Sequence, residues 1–245
     1  MNRRNTRASE SRLDISIHAL TVTGILAGMA SLIAVLNSEP NRAIVWMMLA
    51  VVIDGIDGPI ARRWLTDSEL PRFDGYILDL VIDYVTCVLV PCAFMWQFAV
   101  VNHGITGQLT VAAVLGTAAL WFSQTNMENE EHWFRGFPAA WNLVIPTLWL
   151  LGERPEFNIL VCIGLSVLTL STIEFPHTIR VGRFRYINVG VTSLWIVSLI
   201  VLSFRAEKIN NAERLLLLIA PLTIATIVTI HEFETKREVA NQTTL

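Results

Sequence analysis

Residues 43–65 read AIVWMMLAVVIDGIDGPIARRWL, and residues 75–91 read GYILDLVIDYVTCVLVP. Eleven mostly apolar residues precede Asp54 in the first stretch, which at 1.5 Å per residue places its carboxylate roughly 16 Å along a helix. An ionised acid at that depth costs several kcal/mol unless it is paired or hydrated, so intramembrane acids point to function. Asp54 and Asp57 are three residues apart and share a helical face, with Arg62 eight beyond Asp54 on the same stripe. Gly75, Asp79 and Asp83 recur every fourth residue, again on one face. Two neighbouring antiparallel helices would therefore aim four carboxylates at one point.

The rest of the chain supports helices in a bilayer. It has 245 residues, 53% hydrophobic and only 16% charged, with a mean hydropathy of +0.52. A soluble domain of this length interrupts its apolar runs sooner. Runs near the roughly 20 residues that a bilayer requires recur at 15–36, 43–65, 76–100, 105–123, 138–152, 157–175, 186–204 and 212–230. The expectation is an all-α, polytopic membrane helix bundle of about eight transmembrane helices, one domain over residues 1–245. The fifth run is short, bounded by Pro138 and Gly152, and Pro221 is expected to kink the eighth.

With eight spans both termini share a side, and that side holds thirteen of the eighteen Lys and Arg. The positive-inside rule then makes both termini cytoplasmic, although the three positive charges of the 205–214 loop pull the other way. The opening MNRRNTRASESR is polar for too long to be a cleavable signal peptide. Cys87, Cys92 and Cys162 lie in apolar stretches without metal-ligand spacing and read as small buried hydrophobes. A net charge of −3 gives no footprint for a nucleic-acid partner.

Four carboxylates that close repel one another. A hard divalent cation, Mg²⁺ or Mn²⁺, resolves this with oxygen ligands while leaving positions for water and phosphate. Gly58 and Ala61 leave the helix bare beside the acids, so a phosphate or nucleotide can approach the backbone. Gly55, Gly58 and Pro59 weaken the helix there. The competing readings of the acids are a buried charge network and an ion path.

These residues resemble a known family. Asp54-x-x-Asp57-Gly58-x-x-Ala61-Arg62 followed by Gly75-x-x-x-Asp79-x-x-x-Asp83 is similar to the signature of the CDP-alcohol phosphotransferases, with every fixed position filled. The segments DGIDGPIARR, LDLVIDYVTCVLVP, TNMENEEHWFRGFPAAWN and PHTIRVGRFR resemble the bacterial phosphatidylcholine synthase branch. So do the twelve-residue spacer between Arg62 and Gly75 and the eight rather than six spans.

The resemblance implies transfer of a phosphatidyl group from CDP-diacylglycerol to choline, with release of CMP, in the bacterial inner membrane near its cytoplasmic face. It implies Asp54, Asp57, Asp79 and Asp83 as ligands of two Mn²⁺ or Mg²⁺ ions, with Asp83 also the catalytic base. It places Gly58, Ala61, Arg62 and Gly75, with Thr21 in the first span, at the CDP-diacylglycerol site. It leaves a homodimer open.

Choline's quaternary ammonium makes no hydrogen bonds and needs aromatic faces with a carboxylate. Tyr84 beside the base, and Glu128, Glu131, Trp133 and Phe134 in the 123–137 loop, are the candidates. Glu174 is a further partly intramembrane acid. His177, Arg180, Arg183 and Arg185 either contact phosphate or follow from the positive-inside rule. Serine, glycerol phosphate or inositol as acceptor is the nearest alternative, and an ion-coupled transporter is an alternative of another class. An aspartate-rich prenyltransferase would need a second acidic motif in the later helices.

Overall fold

The computed structural model describes residues 22–64 and 75–242, of which only the backbone is described at 57–64, 207, 238–239 and 242. Each of the eight apolar runs has a helix among these residues. They are α1 Val22–Leu36, α2 Pro40–Trp64, α3 Gly75–Gln97, α4 Ile105–Phe122, α5 Trp141–Leu151, α6 Pro155–Thr169, α7 Arg185–Ser203 and α8 Asn211–Gln242. Four of them, α3, α4, α7 and residues Asn211–Arg237 of α8, are long and apolar enough to cross a membrane. The architecture is a membrane helix bundle.

The fifth and sixth runs fold shorter than their apolar length suggests. With eleven residues, α5 extends only roughly 16 Å, against a hydrocarbon core of about 30 Å. Its cause is local: Pro138 precedes it, and Ala139 takes a left-handed φ of 51°, so the chain enters the bundle as irregular backbone. Such backbone is tolerated at membrane depth where protein buries it or where it borders a cavity. Both apply here, because Phe137, Ala139 and Trp141 are buried, while Pro138, Ala140, Asn142 and Leu143 border the bundle's cavity. Nine of the eleven α5 residues are buried, as a helix apolar all round requires. It is the centre of the bundle, packed against α2, α3, α7 and α8.

Two short strands, unforeseen in the sequence, close the same end. β1 Trp133–Arg135 pairs antiparallel with β2 Glu174–Pro176, and just after β1 the Phe137 N–H donates to the Leu168 carbonyl in the last turn of α6 at 3.1 Å. Gly136 follows β1 at φ +82°, its N–H donating to the Ile173 carbonyl at 2.8 Å, and a Cβ there would collide with the Thr169 carbonyl. Gly136→Ala is expected to cost about 2–4 kcal/mol, since a left-handed backbone and a rigid clash act together. A fall in the thermal midpoint of the purified protein is the readout; an unchanged midpoint would remove this turn from the account.

Polar side chains tie the apolar helices together in the manner of membrane bundles. Ser31 Oγ donates to the Ala43 carbonyl at 2.8 Å, Asn158 Nδ2 to Val100 at 2.8 Å, and Trp195 Nε1 to Thr147 Oγ1 at 2.8 Å. Gly24 and Gly28, four apart on α1, allow close packing on α3. A Cβ on Gly28 would stand 2.9 Å from Thr86 Cγ2, and one on Gly24 3.5 Å from Ile82 Cγ2. The eighth helix runs on through Pro221 and past its apolar run, so that His231 and Glu232 reach β2.

Candidate active site

The two acidic faces meet as their spacing predicts. Asp54 comes from α2, Asp79 and Asp83 from successive turns of α3, and one ligand atom from each lies within 4.8 Å of the others. Three hard oxygen donors at that separation suit a divalent cation, and without one their charges oppose each other. Asp57, Gly58, Ala61 and Arg62 continue the α2 helix, but their side chains lie outside the described residues, as do Thr21 and residues 65–74. Gly75 opens α3.

Directly after Asp83 the helix widens into a π segment, Tyr84–Leu89, in which the Val90 N–H reaches back to the Val85 carbonyl. Such segments recur at functional sites because they reset which side chains share a face. Here the segment carries Cys87 to the cavity wall, where its sulfur accepts a bond from Asn142 Nδ2 at 3.2 Å. This ties the floor of the cavity, at the start of α5, to the helix that bears two of the acids.

The cavity encloses about 610 Å³, within the range of ligand pockets. Asp54, Asp79 and Asp83 border it together with Trp121, Phe122, Glu128, Phe134, His177 and Arg180. Trp121 meets Phe134 edge to face at 5.6 Å, and its Nε1 donates to the Arg135 carbonyl at 2.8 Å. Phe134 stacks in turn on His177, with ring centroids 5.1 Å apart. Glu128 bonds His132 Nδ1 at 2.6 Å and receives Arg180 Nη1 at 2.8 Å. The arrangement joins an anionic, metal-competent end to an aromatic corner with a carboxylate.

The residues expected around an ammonium are thus distributed over distinct places. Glu128 and Phe134 border the cavity. Tyr84 donates its hydroxyl to the Leu115 carbonyl at 3.1 Å and packs edge-on against Phe122. Glu131 is exposed, its N–H bonded to Asn129 Oδ1. Trp133 is buried, its ring stacked 3.6 Å from His231. Trp121 and Phe122 were not anticipated; their signal was an aromatic pair closing the fourth apolar run beside the 123–137 loop. Glu174, which lacked a visible partner in the sequence, binds Asn129 Nδ2 and His231 Nε2, both at 2.8 Å.

Comparison with known proteins agrees with this geometry. Residues 18–172 match the CDP-alcohol phosphatidyltransferase family, a stretch that contains both acidic helices. A Pseudomonas aeruginosa protein named phosphatidylcholine synthase is 35% identical over 182 residues, 74% of this chain and 76% of that protein. Its namesake in Mesorhizobium japonicum is 37% identical over 182 residues, 74% of this chain and 67% of the relative. One from Borreliella burgdorferi is 26% identical over 217 residues, 86% of this chain and 92% of its own length. With the motif, the acidic cluster and most of the chain accounted for, the protein belongs to the CDP-alcohol phosphatidyltransferase family.

Proposed function

We propose that this chain, a single membrane domain over residues 1–245, transfers the phosphatidyl group of CDP-diacylglycerol to choline, forming phosphatidylcholine and releasing CMP. The observation that carries this reading is one cavity shared by the Asp54, Asp79 and Asp83 cluster and by the Trp121–Phe134 corner beside Glu128. The names of the relatives point to the same product.

Asp54, Asp57, Asp79 and Asp83 would hold the divalent ions, two Mn²⁺ or Mg²⁺ in this reading. Bound there, the ions supply charge neutralisation on the pyrophosphate. Gly58, Ala61, Arg62, Gly75 and Thr21 would border the nucleotide, Arg62 with a fork of donors suited to phosphate. Asp83 takes the proton of the choline hydroxyl, which does not ionise near neutral pH. The choline oxygen then attacks the phosphorus that bears the diacylglycerol, the bridging bond to CMP breaks, and CMP leaves with the electron pair.

Aromatic faces suit the trimethylammonium, which attracts no hydrogen bonds. Trp121 and Phe134 supply those faces, and Glu128 the carboxylate. Tyr84 and Trp133 act from outside the corner, holding α3 and β1 in place, and Glu131 would meet choline from the exposed 128–132 turn as it enters. The site opens near the cytoplasmic face of a bacterial inner membrane, with both termini on that side; a homodimer is compatible with it.

Purified protein given CDP-diacylglycerol and, in turn, choline, serine, glycerol phosphate or inositol tests the reading. CMP is expected with choline. CMP with another of the four acceptors and none with choline would overturn it.

A further inference from the structure

The cavity that holds the aspartates holds one more charged pair, Glu128 and Arg180, joined at 2.8 Å through Glu128 Oε2 and Arg180 Nη1. Arg180 is the one arginine or lysine among the described residues that border the cavity. Both side chains are partly exposed, at 21% and 30%.

The pair is held from two sides. His177 Nδ1 accepts the backbone N–H groups of Ile179 at 3.2 Å and Arg180 at 3.4 Å, while its ring stacks on Phe134. Glu128 is bridged to Phe134 through the backbone, and its second oxygen bonds His132. The carboxylate, the guanidinium and the aromatic corner therefore keep a set spacing. A guanidinium has five N–H donors in a planar fork, and the bond to Glu128 uses one of them. Its geometry suits a phosphate as a second partner.

A pair of opposite charges in a substrate cavity complements a ligand that is itself a pair of opposite charges. The headgroup formed when choline takes up a phosphatidyl group is such a ligand: a phosphodiester anion and a trimethylammonium cation joined by two carbons. We propose that the Glu128–Arg180 ion pair determines headgroup specificity by binding this zwitterion head to tail, Arg180 on the phosphate and Glu128 on the ammonium. This rests on choline being the acceptor. It also predicts rejection of the others. A serine headgroup brings an extra carboxylate and glycerol phosphate a second phosphate, both repelled by Glu128, and inositol brings no cation.

Glycerophosphocholine, the soluble form of that headgroup, is the probe. Its inhibition of CMP release and its effect on tryptophan fluorescence are measured for wild type, Glu128→Gln, Arg180→Gln and the double variant, with thermal midpoints recorded alongside. Each single variant is expected to bind the probe about tenfold or more weakly. The double variant is expected to bind more weakly than either single, because the two charges hold opposite ends of one ligand. The Michaelis constant for choline rises chiefly in Glu128→Gln and that for CDP-diacylglycerol chiefly in Arg180→Gln.

Arg180→Lys, which keeps the charge and loses the fork, should weaken the probe even where Arg180→Gln does not fold. Arg183→Ala, whose partner is Glu234, should bind as wild type does. Unchanged probe affinity in Glu128→Gln and Arg180→Lys overturns the inference. If wild type still releases CMP with choline, the reading of the function survives that failure; if choline releases none, the reading itself is lost.

Discussion

Asp79→Asn and Asp83→Asn each lower choline-dependent CMP release by about a thousandfold or more, a loss typical of groups that place charge or take a proton at the reacting centre. Both substitutions preserve shape and remove a negative charge from a cluster whose ligand atoms lie within 4.8 Å of one another. The fold is therefore expected to persist, with thermal midpoints near that of wild type. The two variants separate by rescue. Asp79→Asn should recover part of its activity at high divalent cation concentration, because a weakened ligand set can be refilled by mass action. Asp83→Asn should not, because it has lost the acceptor for the choline proton. Turnover by Asp83→Asn within tenfold of wild type would remove Asp83 from that role. An ion-coupled transporter would have no CMP release to lose in either variant.

Phe134→Leu is the second large effect. Leucine keeps the apolar bulk against Trp121 and His177 but removes the ring face, and a desolvated cation on an aromatic face is worth about 2 kcal/mol. The Michaelis constant for choline should rise roughly thirtyfold by that energy, with little change in the constant for CDP-diacylglycerol. Trp121→Leu should act in the same direction and also lower the thermal midpoint, because Trp121 Nε1 anchors the Arg135 carbonyl. Equal increases in both Michaelis constants for Phe134→Leu would mean that the corner shapes the whole cavity and does not select choline.

What could be read in advance was what repeats with a period or runs unbroken along the chain. The spacing of Asp54, Asp79 and Asp83 placed each acid on a helical face, and the structure brings those faces together. Apolar runs located eight helices because burial in lipid is a local compositional property. The misses arise where distant segments decide the outcome. The shortness of the fifth run was legible at Pro138, but its place at the centre of the bundle, packed against α2, α3, α7 and α8, was not. The β1–β2 ladder has only three residues in each strand, too few for alternation to register. The π segment after Asp83 has no composition of its own. Glu174 found its partners, Asn129 and His231, 45 and 57 residues away, and no spacing rule reaches across that distance. Trp121 joins Phe134 and Glu128 only once β1 folds back over the end of α4.

One cavity, in this reading, combines a metal-dependent pyrophosphate site with a choline site. Its most direct test is CMP release from CDP-diacylglycerol and choline by purified protein, first stripped of divalent cations and then resupplied with Mn²⁺ or Mg²⁺. Stripped protein is expected to release no CMP, and resupply to restore release with phosphatidylcholine and CMP formed in equal amounts. Release at an unchanged rate without a divalent cation, or CMP formed without phosphatidylcholine, would contradict it.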